Sequence, residues 1–170
     1  MRIEVSRDVF RLAQVFTISR GSRTEAQVLT VRITDGGVTG WGECVPYARY
    51  GETLESVTAE IEALRGPLTR DALYDLLPAG AARNAVDCAL WDLQAKQAGK
   101  PVWELAGLAR PGPEITAFTL SLDSPEKMRE QAALHAHRPL LKIKLGTPDD
   151  MPRLEAVRAG APDAQIIIDA

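Results

Sequence analysis

The sequence predicts an α+β unit followed by an α/β unit, and three observations carry that expectation. Residues 2–45 fall into strand-like runs of alternating apolar and polar positions, broken by a glycine turn. Helical stretches then fill most of residues 53–98. From residue 115 onward, strands and helices alternate with short connections, which is the pattern of parallel βαβ units.

In the first unit, residues 2–12 place Ile3, Val5, Phe10 and Leu12 in strand-like alternation, and residues 26–34 do the same with Val28, Val31 and Ile33. Asp35-Gly36-Gly37 is a tight turn into a third run, residues 38–45, so these two runs form a hairpin. Thr53 caps a helix expected to reach Arg65 before Gly66-Pro67, and a short helix covers residues 71–77 before Pro78. The longest helix covers residues 81–98, with Val86, Ala89, Leu90 and Leu93 on one stripe and Gly99 ending it. The proline- and glycine-rich segment 108–113 reads as a junction, giving domains over residues 1–110 and 111–170.

The second unit opens with a strand over residues 115–122. Ser124-Pro125 then starts a helix leading into His135. A strand over residues 140–145 precedes a helix over residues 148–159, whose apolar side is Leu154 and Val157 and whose stop signals are Gly160 and Pro162. The run Ile166-Ile167-Ile168-Asp169 is a third strand ending in a carboxylate. Lys142 and Lys144 alternate with Leu141, Ile143 and Leu145, so both ammonium groups share one face and the apolar side chains the other. Two readings follow: a half-exposed strand with solvated charges, or a barrel strand delivering lysines to a polar interior. In that interior each lysine lowers the other's proton affinity, and one becomes a general base. Barrels of βα units carry their functional groups at the C-terminal strand ends, and Lys142, Lys144 and Asp169 all lie at or near that end.

Composition excludes several classes. A net charge of −3, with no basic stripe or aromatic ladder, argues against a nucleic-acid surface. The apolar stretches fall far short of a membrane span, and the start, Met1 to Val5, has no apolar core of signal-peptide length. Cys44 and Cys88 have no metal or redox spacing and read as buried thiols of a cytoplasmic protein. His135 and His137 close a helix, where histidine suits the C-terminal dipole, and receive no chemistry. Trp41, Trp91 and Trp103 read as core residues, and Asp87 and Asp92 as structural.

Several stretches together carry a resemblance. They are residues 16–26 (FTISRGSRTEA), 40–47 (GWGECVPY), 50–53 (YGET), 85–93 (AVDCALWDL), the Lys142-Ile143-Lys144 pair and the final Asp169-Ala170. The chain resembles the N-terminal part of enolase-superfamily enzymes of the muconate-lactonising subgroup, most of all the dipeptide epimerases that act on L-Ala-D/L-Glu. The lysine pair and the alanine-rich helix are shared widely in the superfamily, whereas the Arg20 segment and residues 46–53 are narrower.

The resemblance implies an α+β capping domain followed by the first βα units of a modified TIM (β/α) barrel, truncated here, with loops near residues 16–25 and 46–53 closing over the substrate. It casts Lys144 as the base that removes an α-proton and Lys142 as its partner. Asp169 becomes the first of three carboxylate ligands to Mg²⁺, Arg20 the partner of the substrate's side-chain carboxylate with Arg23 as the nearby alternative, and Thr119 a residue lining the substrate pocket. An α-proton beside a carboxylate is too weakly acidic for an unaided amine, so a cation must stabilise the enediolate. Enzymes of this superfamily pair a lysine or histidine base with one or two Mg²⁺ ions. The implied activity is epimerisation of an acidic dipeptide; an o-succinylbenzoate synthase, a cycloisomerase and a non-catalytic fragment are the alternatives. A second lysine and two more carboxylates are expected in a C-terminal barrel portion beyond residue 170. The partners implied are a small-molecule substrate and no nucleic acid or membrane, with a homo-oligomer left open.

Overall fold

Three strands open the chain: β1 Arg2–Ile18, β2 Gly21–Asp35 and β3 Val38–Cys44, side by side in one sheet in that order. The computed structural model describes residues 1–18, 21–66, 68–146, 148 and 150–169. Both early strands run past their expected ends, β1 to Ile18 rather than residue 12 and β2 from Gly21 rather than residue 26. The added length is mostly exposed, and a ribbon without a buried face has nothing to impose a period of two on its sequence. The segment expected as a loop near residues 16–25 is therefore largely strand.

Contacts divide the chain into two compact units, one of Met1–Phe10 with Ala26–Pro111 and one of Arg11–Glu25 with Gly112–Ala170. In the first unit β2 pairs antiparallel with β3 from Leu29↔Cys44 to Asp35↔Val38. Gly36 and Gly37 turn the chain at φ 57° and 81°, the left-handed values that a two-residue hairpin loop demands. Four helices follow: α1 Leu54–Glu62, α2 Arg70–Leu76, α3 Ala81–Ala98 and the short α4 Val102–Leu105. Thr53 caps α1 as expected, its hydroxyl accepting from the Ser56 N–H while the Ser56 hydroxyl accepts from the Thr53 N–H.

The core of this unit joins Leu29, Val31 and Ile33 of β2 to Val86, Ala89, Leu90 and Leu93 of α3, with Val57, Ile61 and Leu73 from α1 and α2. Burying each of the larger side chains contributes about 1.5–3 kcal/mol. Helix α3 lies against β3 closely enough that a Cβ on Gly42 would stand 2.0 Å from the Ala85 carbonyl oxygen, and one on Gly40 2.1 Å from that of Ala89. The helix also serves the strand's open edge. Asp92 accepts the Trp41 N–H at 2.8 Å, Lys96 Nζ donates to the Thr39 carbonyl at 3.0 Å, and Asn84 Nδ2 donates to the Glu43 carbonyl at 3.4 Å.

Two expectations fail in this unit. Trp41 is 51% exposed, because it stands opposite Arg32 on the sheet face turned away from α3, with the guanidinium 5.5 Å from its ring centre. Cys88 is exposed and only Cys44 is buried. Burial, followed by Glu52 and Glu43, pushes the Cys44 thiol up to about 11. Trp91 carries the Arg70 guanidinium 3.5 Å above its ring, a contact that ties α2 to α3.

The second unit contains β4 Phe118–Leu120, α5 Pro125–Leu134, β5 Leu140–Lys144, α6 Asp150–Gly160 and β6 Gln165–Asp169. The strands form one sheet in the order β4-β5-β6, both pairs parallel. Strand β4 is three residues long rather than the eight expected. Leu120, Leu141 and Ile143 are buried with Met128 and Ala132 of α5 and Val157 of α6. His135 follows α5 and stacks on Phe118 with ring centres 4.0 Å apart. Burial, then Arg138 and His137, lower its pKa, so packing rather than a charged interaction with the helix dipole explains it.

Candidate active site

Parallel register decides which side chains meet at the C-terminal end of the second sheet. Thr119 lies abreast of Lys142, Lys142 abreast of Ile167, and Lys144 abreast of Asp169. Residues in register point to the same side, so Thr119, Lys142, Lys144 and Asp169 share the face opposite the buried Leu141 and Ile143. The face away from the helices is thus the polar one, as the alternation of lysine with leucine and isoleucine predicts.

On that face the two ammonium groups converge on one atom. Lys142 Nζ lies 2.7 Å from Asp169 Oδ2, and Lys144 Nζ contacts the same oxygen. The side chains are 34%, 25% and 33% exposed for Lys142, Lys144 and Asp169, neither freely solvated nor sealed. Hydrogen bonds from Lys142 first and Lys144 second push the Asp169 carboxyl down to about 2. Asp169 is consequently an anion throughout the physiological range. Its backbone carbonyl accepts the Leu145 N–H at 3.0 Å, extending the β5–β6 pairing to the strand ends.

A hard cation needs anionic oxygen donors, and a carboxylate held ionised at a strand end is a donor of that kind. Asp169 is one such donor, and no group of three or more His, Cys, Asp or Glu residues converges among the described residues. The chemistry of Asp169 fits a share in a Mg²⁺ site.

In the distal part of β1 and β2, residues 11–18 and 21–25, Thr17 and Val15 are tied to the residues that follow β4. The Thr17 N–H donates to Ser121 Oγ at 2.8 Å, Ser121 Oγ donates to the Val15 carbonyl at 3.4 Å, and the Leu122 N–H donates to the Thr17 carbonyl at 3.0 Å. The hydroxyls of Thr17 and Ser22 lie 2.8 Å apart. Arg20, expected to bind a substrate carboxylate, lies outside the described residues. Arg23 is in β2 and exposed. Sequence reasoning passed over Ser121. Its one signal was a second polar residue two positions after Thr119, the strand spacing that puts both on one face.

Comparison with known proteins bears on the family and the fold. The N-terminal domain model of the mandelate racemase / muconate lactonizing enzyme family matches residues 2–107. The L-Ala-D/L-Glu epimerase of Escherichia coli (strain K12) is 42% identical over 174 residues, covering 99% of this chain and 54% of that protein. A solved enolase family member from Agrobacterium tumefaciens, described as homologous to dipeptide epimerases and bound to sodium and L-Ala-L-Glu with an ordered loop, superposes with a TM-score of 0.94. It is 54% identical and covers 99% of this chain and 53% of that one. The dipeptide epimerase of Enterococcus faecalis V583, complexed with Mg and L-Leu-L-Tyr, superposes with a TM-score of 0.86 at 30% identity, over 99% of this chain and 52% of that one. The chain therefore spans about half the length of the relatives it matches. The fold class expected from the sequence holds, an N-terminal α+β domain followed by the first βα units of a barrel. With more than half of its length matched by the family model, the chain belongs to the mandelate racemase / muconate lactonizing enzyme family.

Proposed function

We propose that the protein is an isomerase, a dipeptide epimerase of the L-Ala-D/L-Glu type. The observation that carries this reading is the meeting of Lys142, Lys144 and Asp169 on one polar face at the C-terminal ends of β5 and β6. The likeness to epimerases whose printed ligands are dipeptides supports it. Lys144, as the free amine, takes the α-proton. The electrons of the broken C–H bond pass into the adjacent carboxylate, giving an enediolate. Lys142 adds a second cationic donor beside the forming charge. Net inversion also needs a proton donor on the opposite face of the substrate carbon. Asp169 would hold Mg²⁺ as one ligand, and the bound ion would supply positive charge at the substrate carboxylate. Thr119, abreast of Lys142, lines the same face, and Arg20 pairs with the side-chain carboxylate of an acidic second residue, a task suited to a planar fork of donors.

The test is exchange of the substrate α-proton with D₂O in the full-length protein. Lys144→Ala is expected to abolish exchange from at least one substrate enantiomer while leaving the fold intact. Lys144→Arg should fail as badly, because a guanidinium stays protonated. Exchange at the wild-type rate in either variant would remove Lys144 from the reaction.

A further inference from the structure

Where the chain leaves β5, a carboxylate that the proposed chemistry does not use closes the turn behind Lys144. The Gly146 N–H donates to Asp150 Oδ2 at 2.8 Å. Its neighbour, the Leu145 N–H, donates to the Asp169 carbonyl. The two backbone N–H groups that follow Lys144 are therefore both held, one by the end of β6 and one by the first turn of α6. Gly146 takes φ 127°, in the region that favours glycine, so the chain bends sharply here and the bond to Asp150 secures the bend. The other oxygen, Asp150 Oδ1, lies 3.8 Å from Arg153 Nη1, and Arg153 Nε donates to the Asp123 carbonyl at 2.8 Å. Arg153 thus links the start of α6 to the loop between β4 and α5.

We propose that Asp150 is a positioning residue for Lys144. Its carboxylate stands in the first turn of α6, where the helix dipole favours an anion. There it accepts a charge-assisted bond from Gly146 and keeps the last residues of β5 from opening. The proposal rests on the reading of Lys144 as the base. A long side chain that must meet an α-proton depends on where its backbone starts, and a misplacement of about 1 Å can cost about 100-fold in rate. Without the bond the strand end opens locally, and Lys144 spends less of its time within reach of the substrate carbon. The signature is a fall in kcat with KM held.

Four full-length proteins test it: wild type, Asp150→Ala, Asp150→Asn and Lys144→Ala. Asp150 takes no part in the pairing of β5 with β6, so Asp150→Ala should fold, and Asp150→Asn keeps an oxygen able to accept from Gly146. Hydrogen exchange of the Gly146 amide is expected to quicken by about tenfold in Asp150→Ala and to return toward wild type in Asp150→Asn. Exchange of the α-proton with D₂O is followed separately from L-Ala-L-Glu and L-Ala-D-Glu. In Asp150→Ala it should slow by about tenfold for each epimer that Lys144→Ala silences, with KM unchanged within about twofold. An epimer that Lys144→Ala leaves active should keep its wild-type rate, and Asp150→Asn should recover most of the loss.

Unaltered Gly146 exchange in Asp150→Ala overturns the tie. Wild-type α-proton exchange in that variant, an equal loss for an epimer that Lys144→Ala spares, or no recovery in Asp150→Asn overturns its link to Lys144. If Lys144→Ala silences neither epimer, the reading of Lys144 fails and the link falls with it, whereas the tie itself is still decided by Gly146 exchange.

Discussion

Asp169 accepts from two lysines through a single oxygen, and this makes its charge a pH-dependent part of stability. Its pKa falls from 3.8 to about 2 on folding. For a carboxylate depressed in the folded state, the stabilisation is complete above the unfolded value and is lost as pH falls through the folded one. The window therefore runs from about 4 down to about 2. Asp169→Asn, studied with a chelator present, is expected to lower the thermal midpoint at neutral pH, where two ammonium groups would face each other without their anion. Below pH of about 2 the two proteins should converge. A gap between the two melting curves that stays constant across that window would show that the ion pairs contribute nothing. The lysines and Asp169 were legible in the sequence because strand alternation alone assigns a side chain to a face. Ser121 was not, because its partner Thr17 lies 104 residues away in the chain and nothing local records such a pairing. Trp41 misled for a related reason, since an aromatic residue in a strand does not say whether its face is the one a helix covers.

At the scale of elements, the contact between α3 and β3 has the least room. Gly40 and Gly42 alternate with Trp41 on β3, so both present no side chain to the helix, and the Ala85 and Ala89 carbonyls occupy the space a Cβ would take. Gly42→Ala is expected to destabilise the first unit by about 3 kcal/mol, because neither a helix backbone nor a paired strand can yield by a side-chain rotation. Chemical denaturation followed by tryptophan fluorescence measures the loss. A midpoint within error of wild type would mean that α3 sits further out than described. Helix α3 was readable to its last residue, since a buried stripe at helical spacing and a terminal glycine both mark it. Strand lengths were not. The outer half of the β1–β2 ribbon is exposed and lacks the alternation that a buried face imposes. Strand β4, with three residues, is shorter than the apolar run around it suggested, because an extended apolar segment need not be hydrogen-bonded into a sheet.

For the whole molecule, the chain divides into two units, each with a hydrophobic core of its own. Metal dependence provides a check at this scale. Among the described residues no group of three or more His, Cys, Asp or Glu residues converges, and Mg²⁺ gives up its water reluctantly. Calorimetric titration of a protein limited to these 170 residues is accordingly expected to show weak Mg²⁺ binding. Under the proposed function the full-length protein should bind the ion more tightly, and Asp169→Asn should reduce that affinity together with turnover. Equal affinity in the two proteins would place the ion elsewhere. The first unit also has a bearing on how copies of the chain can meet. Asp92, Lys96 and Asn84 of α3 bind the Trp41 N–H and the Thr39 and Glu43 carbonyls of β3, the strand at one border of that sheet. A sheet with two unoccupied borders can recruit neighbours indefinitely into a ribbon. Side-chain bonds along one border oppose that growth, because an incoming strand would have to displace them.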